Sequence, residues 1–233
     1  MSSIYGGETF VETIVTIAEH YRRLERILRL GVVLFAIIVC IALVLRFPRW
    51  IAVPLVILVL GSLAVPLFDI AGTIQLKSME DPDVVLTDFA SQLPPVLGFQ
   101  WALADSIQET ADGVSYEFTH LFGILTTSLR TNIAVDQANG IVELTCFEND
   151  SPWGSYLVFV NPTEDGTEVT LKVTADRRYE LVRLTQLVAA AYYQDTMFET
   201  QGYEVCNRTR SIAFGPDVSG FVSKIASRIE QFR

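Results

Sequence analysis

A chain of 233 residues with a formal net charge of −10 and a 50% apolar composition can bury one sizeable core. The acidic balance argues against a nucleic-acid partner, whose phosphates need a basic surface, and a mean hydropathy of +0.36 is high for a soluble domain. Two histidines and three cysteines without CxxC or His/Cys spacing give no metal site and point to no cofactor.

Residues 8–29 place Phe10, Val11, Ile14, Ile17, Ala18, Tyr21, Leu24 and Leu28 at helical spacing, with Glu12, Glu19, Arg22, Arg23 and Arg26 on the other side. Residues 1–29 therefore read as an amphipathic N-terminal helix. Its polar face mixes both charges, which favours packing on protein over lying on lipid. Two apolar runs follow in residues 30–70. LGVVLFAIIVCIALVL holds 16 residues, or about 24 Å of helix against an apolar bilayer core of about 30 Å. A span over about 28–46 repairs the deficit if Arg29 reaches back to the headgroups. A second span is expected over about 49–68, with Pro54 and Pro66 near its ends and Trp50 as an interfacial anchor. Between Gly31 and Phe68 only Arg46 and Arg49, in the turn RFPR, are charged before the run ends. This is the pattern of a two-pass transmembrane hairpin whose partner is the lipid bilayer. Arg22, Arg23, Arg26 and Arg29 before it and Lys77 after it place both termini on the cytoplasmic face of the cell membrane. The Asn207-Arg208-Thr209 sequon is then a chance match.

From Gly72 the period falls to two. Residues 73–77 alternate as a strand. Asp81 is expected to cap a helix with Pro82 at its first position and Pro94-Pro95 at its end. Short strands follow at 105–110, 114–120, 125–135, 141–147, 156–160 and 169–175. Asp112-Gly113, Asn139-Gly140 and Asp165-Gly166 mark turns, and Ser151-Pro152-Trp153-Gly154 is read as a break. These hairpins make an antiparallel meander. A long helix is expected over 179–200, closed by Gly202, then a strand over 203–214 and a short amphipathic helix over 216–233. Arg177 and Arg178 are read as partners of nearby acids. Cys40, Cys146 and Cys206 are read as free thiols.

The opening strand GTIQLKS, the capped helix DPDVVLTDFASQL, the hairpin arm DGVSYEF, and EDGTEVTLKVTA running into a long helix resemble the START-like, polyketide-cyclase-like helix-grip superfamily (SRPBCC) over residues 72–200. The hairpin before that stretch, and the strand and helix after it, depart from the family pattern. The resemblance implies an α+β fold. A curved antiparallel sheet over residues 71–215 would grip the long helix and leave a cavity for an apolar small molecule or lipid between them. It carries over no catalytic residue. Strand and helix parity nominate Tyr116, Phe118, His120, Leu129, Ile133, Leu144, Leu171 and Val173 from the sheet as the cavity lining. Leu187, Ala190, Ala191 and Tyr193 are nominated from the helix. His20 is read as a surface residue and His120 as the one nominated side chain able to exchange a proton near neutral pH.

Three functions are open on these residues. The first is a membrane-anchored binding module for an apolar or lipid-like ligand. The second is an interaction domain of a membrane assembly with a filled core. The third is a cyclase- or aromatase-type enzyme, which would need His120 or a tyrosine beside a second polar group in an open pocket.

Overall fold

The computed structural model describes the backbone of residues 4–120 and 125–214. It also describes their side chains, apart from those of residues 4–9, Leu67, His120 and Phe214. The helix expected over 216–233 lies outside the described residues.

The amphipathic helix and the first apolar run form one helix, α1 (Ile4–Arg46). It holds no proline and no internal break, so the helical hydrogen bonds continue across the change from amphipathic to wholly apolar sequence. Phe47-Pro48 turns the chain, and α2 (Arg49–Ala64) runs back beside α1. Ala36 and Ala52 are buried in this hairpin, where small side chains allow close backbone approach. The second apolar helix is four residues shorter than expected. It stops at Ala64 because Val65 turns to extended backbone and Pro66, with no amide hydrogen to donate, opens a strand.

That strand, β1 (Pro66–Ser78), leads to α3 (Pro82–Phe89), a 3-10 turn (Pro95–Leu97) and α4 (Gly98–Ala102). Asp81 sits at the start of α3, but its side chain makes no capping bond. The amides of Val84 and Val85 are taken by its backbone oxygen. Six strands follow as a meander: β2 (Ser106–Thr110), β3 (Gly113–His120), β4 (Leu125–Asp136), β5 (Ile141–Glu148), β6 (Ser151–Thr163) and β7 (Gly166–Thr174). A two-residue β8 (Tyr179–Glu180) and a 3-10 turn (Leu181–Arg183) precede α5 (Leu184–Thr200), and β9 (Glu204–Phe214) closes the described chain. The long helix thus starts five residues later than expected, its first residues being strand and 3-10 turn.

The sheet runs β2-β3-β4-β5-β6-β7-β1, antiparallel throughout, with β8 on the first residues of β1 and β9 along its other edge. This is the α+β helix-grip arrangement that the resemblance implies, extended by β9. β6 begins at Ser151 rather than after Gly154. Asn149 and Asp150, both with positive φ, make the tight turn, and these two residue types tolerate that conformation best after glycine. Pro152 is accommodated where the β5–β6 register shifts.

One face of the sheet carries the core. Val114, Tyr116, Leu129, Val142, Leu144, Val158, Val169, Leu171 and Ile74 alternate inward, and Phe89, Leu97, Met197 and Phe198 close over them. Ile14 and Ala18 of α1, with no exposed surface, belong to the same cluster. The N-terminal helix is therefore part of the domain and packs on α4 and α5. Two large side chains of the core satisfy their polar atoms. The Tyr116 hydroxyl donates to the Gln92 carbonyl at 2.9 Å, and the Trp101 indole donates to the Pro94 carbonyl at 3.3 Å.

The Tyr203 hydroxyl donates to Asp88 at 2.6 Å. Burial raises the Asp88 pKa more than this bond lowers it. Folding therefore favours the protonated carboxyl, whose contribution is present at low pH and declines as pH rises through the raised pKa. Asp88→Asn keeps an acceptor for Tyr203 without the charge. It should raise the melting temperature at pH 7, and the difference from wild type should shrink as the pH is lowered through the acidic range. A gap that is constant with pH would show that Asp88 carries no desolvated charge.

Candidate functional site

The concave face of the sheet is not filled evenly. Val114, Tyr116, Val142 and Leu144 fill the middle of the face. Toward β6, β7 and β1 a cavity of about 160 Å³ remains under α5. Its floor is Gly72, Ile74, Tyr156 and Val173, and its roof is Leu187, Ala190 and Met197. Ala190 leaves space at the roof, and Gly72 lets β9 approach closely, since an added Cβ there would lie 2.9 Å from the Thr209 carbonyl oxygen. The ends are closed by Tyr21 of α1 and Phe99 of α4, whose ring centroids lie 4.5 Å apart, and by Arg208 and Arg210 of β9.

Beyond the Tyr21–Phe99 pair lies a second hollow of about 350 Å³. It is walled by Leu103, Phe118, Leu129 and Trp153, and by the Arg22, Glu25, Arg26 and Arg29 face of α1. The inner cavity alone is smaller than the roughly 300–1,000 Å³ usual for small-molecule sites. The outer hollow continues it, since Tyr21, Phe99, Gln100, Trp153 and Gln186 line both.

The nominated residues distribute as follows. Val173, Leu187 and Ala190 line the inner cavity, and Phe118 and Leu129 line the outer hollow. Tyr116, Leu144 and Leu171 are packed in the core with no exposed surface. Ile133 packs against the core edge and borders a shallow surface hollow beside β2. Ala191 is half-buried on α5, and Tyr193 makes an edge contact with Tyr192. His120 ends β3, and its side chain lies outside the described residues. Sequence reasoning missed Tyr21, Phe99, Trp153 and Tyr156. Tyr156 shares the parity of Val158 and Val160 and could have been found that way. Tyr21 lies on the apolar face of the N-terminal helix, which turns it toward protein, but the place where that helix docks is set by contacts with α4 and α5 far along the chain.

The chemistry of the inner wall is apolar with amide and guanidinium edges. Among the described residues it contains no His, Cys, Asp or Glu. Burial pushes the Tyr156 and Tyr21 hydroxyls far above the usual tyrosine range, and Glu25 beside Tyr21 adds to the effect there. Both stay protonated at any physiological pH, so they serve as hydrogen-bonding groups rather than bases. Burial also pushes the Cys146 thiol up to about 12, 3.5 Å from the Thr131 hydroxyl, which makes it inert. Cys206 on β9 is exposed and free, separated from Cys146 by three strands. No group of three His, Cys, Asp or Glu among the described residues is placed to hold a metal ion.

Ion pairs border the outer hollow. Arg177 pairs with Glu148, Arg183 reaches the same carboxylate at 3.6 Å, and Arg29 pairs with Glu25. Arg178 bonds Asp69 at 3.1 Å, as expected of the Arg177-Arg178 pair. Gln186 of α5 donates to Glu25 at 3.1 Å, tying α5 to α1.

No family model matches the chain, and no curated protein does. Solved structures similar to it include the Zhui aromatase/cyclase from Streptomyces sp. R1128. That match has 10% identity and a TM-score of 0.39, and covers 57% of this chain and 94% of that one. The ginseng major latex-like protein 151 from Panax ginseng matches at 15% identity and a TM-score of 0.34, covering 54% and 95%. A conserved protein from Geobacillus kaustophilus matches at 14% identity and a TM-score of 0.38, covering 57% and 91%.

Proposed function

We propose that the chain is a membrane-anchored binding module that holds an apolar or lipid-like ligand between its sheet and α5. The observation that carries this reading is the continuity of α1. One unbroken helix seats Ile14 and Ala18 in the domain core, places Tyr21 in the cavity wall, and runs on into apolar residues that the protein leaves uncovered. Phe35 and Ile38 are 69% and 63% exposed, and Leu58 of α2 is 68% exposed. So much contiguous uncovered apolar surface needs a non-aqueous neighbour. Among the described residues α1 is the helix long and apolar enough to cross a bilayer. α2, at 16 residues, is about 24 Å long and fits as the shorter return arm of an inserted hairpin. The arginines before the apolar segment favour a cytoplasmic domain. A tether of this kind keeps the cavity within reach of bilayer lipid at high effective concentration.

The full chain, purified in detergent, should release an apolar molecule on solvent extraction and mass spectrometry. Ala190→Trp, which fills the roof of the cavity, should lower that yield at least tenfold with the melting temperature little changed. The protein should also resist carbonate extraction from membranes. Exposed Cys206 should react with a membrane-impermeant maleimide only after the cells are permeabilised. A well-folded protein that yields no ligand would transfer support to an interaction domain of a membrane assembly, the reading favoured by the fully buried core around Tyr116, Val142 and Leu144.

A further inference from the structure

We infer that the outer hollow is a headgroup site for an anionic phospholipid, with the inner cavity taking part of its acyl chain; this rests on the ligand reading above. The hollow opens beside Arg29, the last charged residue before the apolar segment of α1, so it lies at headgroup depth if that segment is in the bilayer. Residues 21, 22, 25, 26 and 29 recur on one helical face, which turns three arginines of α1 toward the hollow. Arg177 comes from the opposite side. Two carboxylates face these four guanidiniums, and both are engaged: Glu148 by Arg177 and Arg183, Glu25 by Arg29 and Gln186. Arg22 and Arg26 make no ion pair among the described residues.

This surplus of positive charge stands in a protein of net charge −10. Aromatic and aliphatic walls back it on the inner side, with Arg26 and Arg29 exposed at its mouth, and a bidentate arginine–phosphate pair is a strong, oriented contact. Two buried polar atoms at the same place lack protein partners, the Arg177 Nε and the Gln100 side-chain oxygen. Small shifts of these two side chains on binding would bring a phosphate oxygen to the first and a headgroup hydroxyl to the second. The apolar path from Phe118 and Trp153 past the Tyr21–Phe99 rings then leads to the inner cavity, which suits an alkyl chain.

The test uses the delipidated full chain in a neutral detergent and native mass spectrometry. The probes are dioctanoyl phosphatidylglycerol, dioctanoyl phosphatidylcholine, dodecanol and inorganic phosphate. Phosphatidylglycerol should bind at least tenfold more tightly than phosphatidylcholine. Arg22→Gln/Arg26→Gln should bring the two to parity, and Leu103→Trp, which fills the hollow, should abolish the binding of both. Thermal melting shows that each variant is folded. Dodecanol uptake without lipid discrimination in the wild type would overturn the headgroup site while leaving the cavity reading intact. Failure to take up dodecanol or either lipid would overturn both. Displacement of phosphatidylglycerol by millimolar phosphate would reassign the site to free phosphate. Preference for phosphatidylglycerol that survives Leu103→Trp would place the lipid on the outer surface of α1 and overturn the site.

Discussion

Replacing Ile14 with aspartate should release the N-terminal half of α1 from the domain. Ile14 has no exposed surface and lies in the main core cluster with Ala18, against α4 and α5. Truncation to alanine at such a site costs about 2–4 kcal/mol. A carboxylate costs more, because a buried charge without a partner must either stay unsolvated or take up a proton. The cheapest relief is for the helix to leave, since α1 is joined to the rest of the domain by side-chain packing and not by the sheet. In detergent, trypsin should then cut the variant at Arg22, Arg23 and Arg26, sites that the wild-type helix protects. The melting temperature should fall by several degrees, and ligand yield should fall with it because Tyr21 leaves the cavity wall. Unchanged protection from trypsin would show that the helix stays docked without Ile14 and overturn its place as the anchor.

Gly166→Ala should be strongly damaging for the addition of a single methyl group. Gly166 has φ of 128°, outside the range an L-residue prefers, and an added Cβ would lie 2.3 Å from the Ser78 carbonyl oxygen. The β6–β7 hairpin here abuts the end of β1, and Thr167 next door is fully buried with its hydroxyl donating to the Glu80 carbonyl at 2.7 Å. Neither backbone can move freely, because β7 and β1 are paired from Thr167 to Thr174. Backbone strain of this kind costs about 1–3 kcal/mol, and the steric conflict adds to it. We expect a loss of about 3 kcal/mol or more in urea unfolding, against about 1 kcal/mol for the control Gly202→Ala, where open space surrounds the added atom and only the φ cost remains. Equal losses at the two positions would remove the close approach as the cause.

Gly166-Thr167 is also the piece of sequence that most suggested the helix-grip fold, and its geometry shows why the signal is physical. Glycine is needed for the backbone contact, and threonine seals the chain leaving β1. The meander was legible for similar reasons. Alternation and turn chemistry at Asp112-Gly113, Asn139-Gly140 and Asp165-Gly166 are local, so each hairpin announces itself. Where turn chemistry was less familiar, as in the left-handed Asn149-Asp150 pair, the strand boundary was misplaced. At Pro66 a run of apolar residues hid the change from helix to strand, because hydrophobicity is common to both and only the proline marks the switch.

The cavity was much less legible. Parity correctly turns Tyr116, Leu144 and Leu171 inward, but inward is not the same as open. Which inward side chains meet a partner depends on where the helices cross the sheet, and that is set by contacts between residues far apart in the chain. Small residues of α5 roof the space beside β6, β7 and β1, while α3 packs on β5, β6 and β7 and the segment after it meets β3 at Tyr116.

The sequence by itself determined an apolar hairpin, an antiparallel meander and a long closing helix, because period, turns and caps are properties of neighbouring residues. The tertiary structure decided where the N-terminal helix docks, with Ile14 and Ala18 in the core against α4 and α5. It also decided that β9 widens the sheet, and that Tyr21, Phe99 and the arginines of α1 surround one hollow. Those outcomes follow from packing and charge brought together across the fold, which no local pattern encodes.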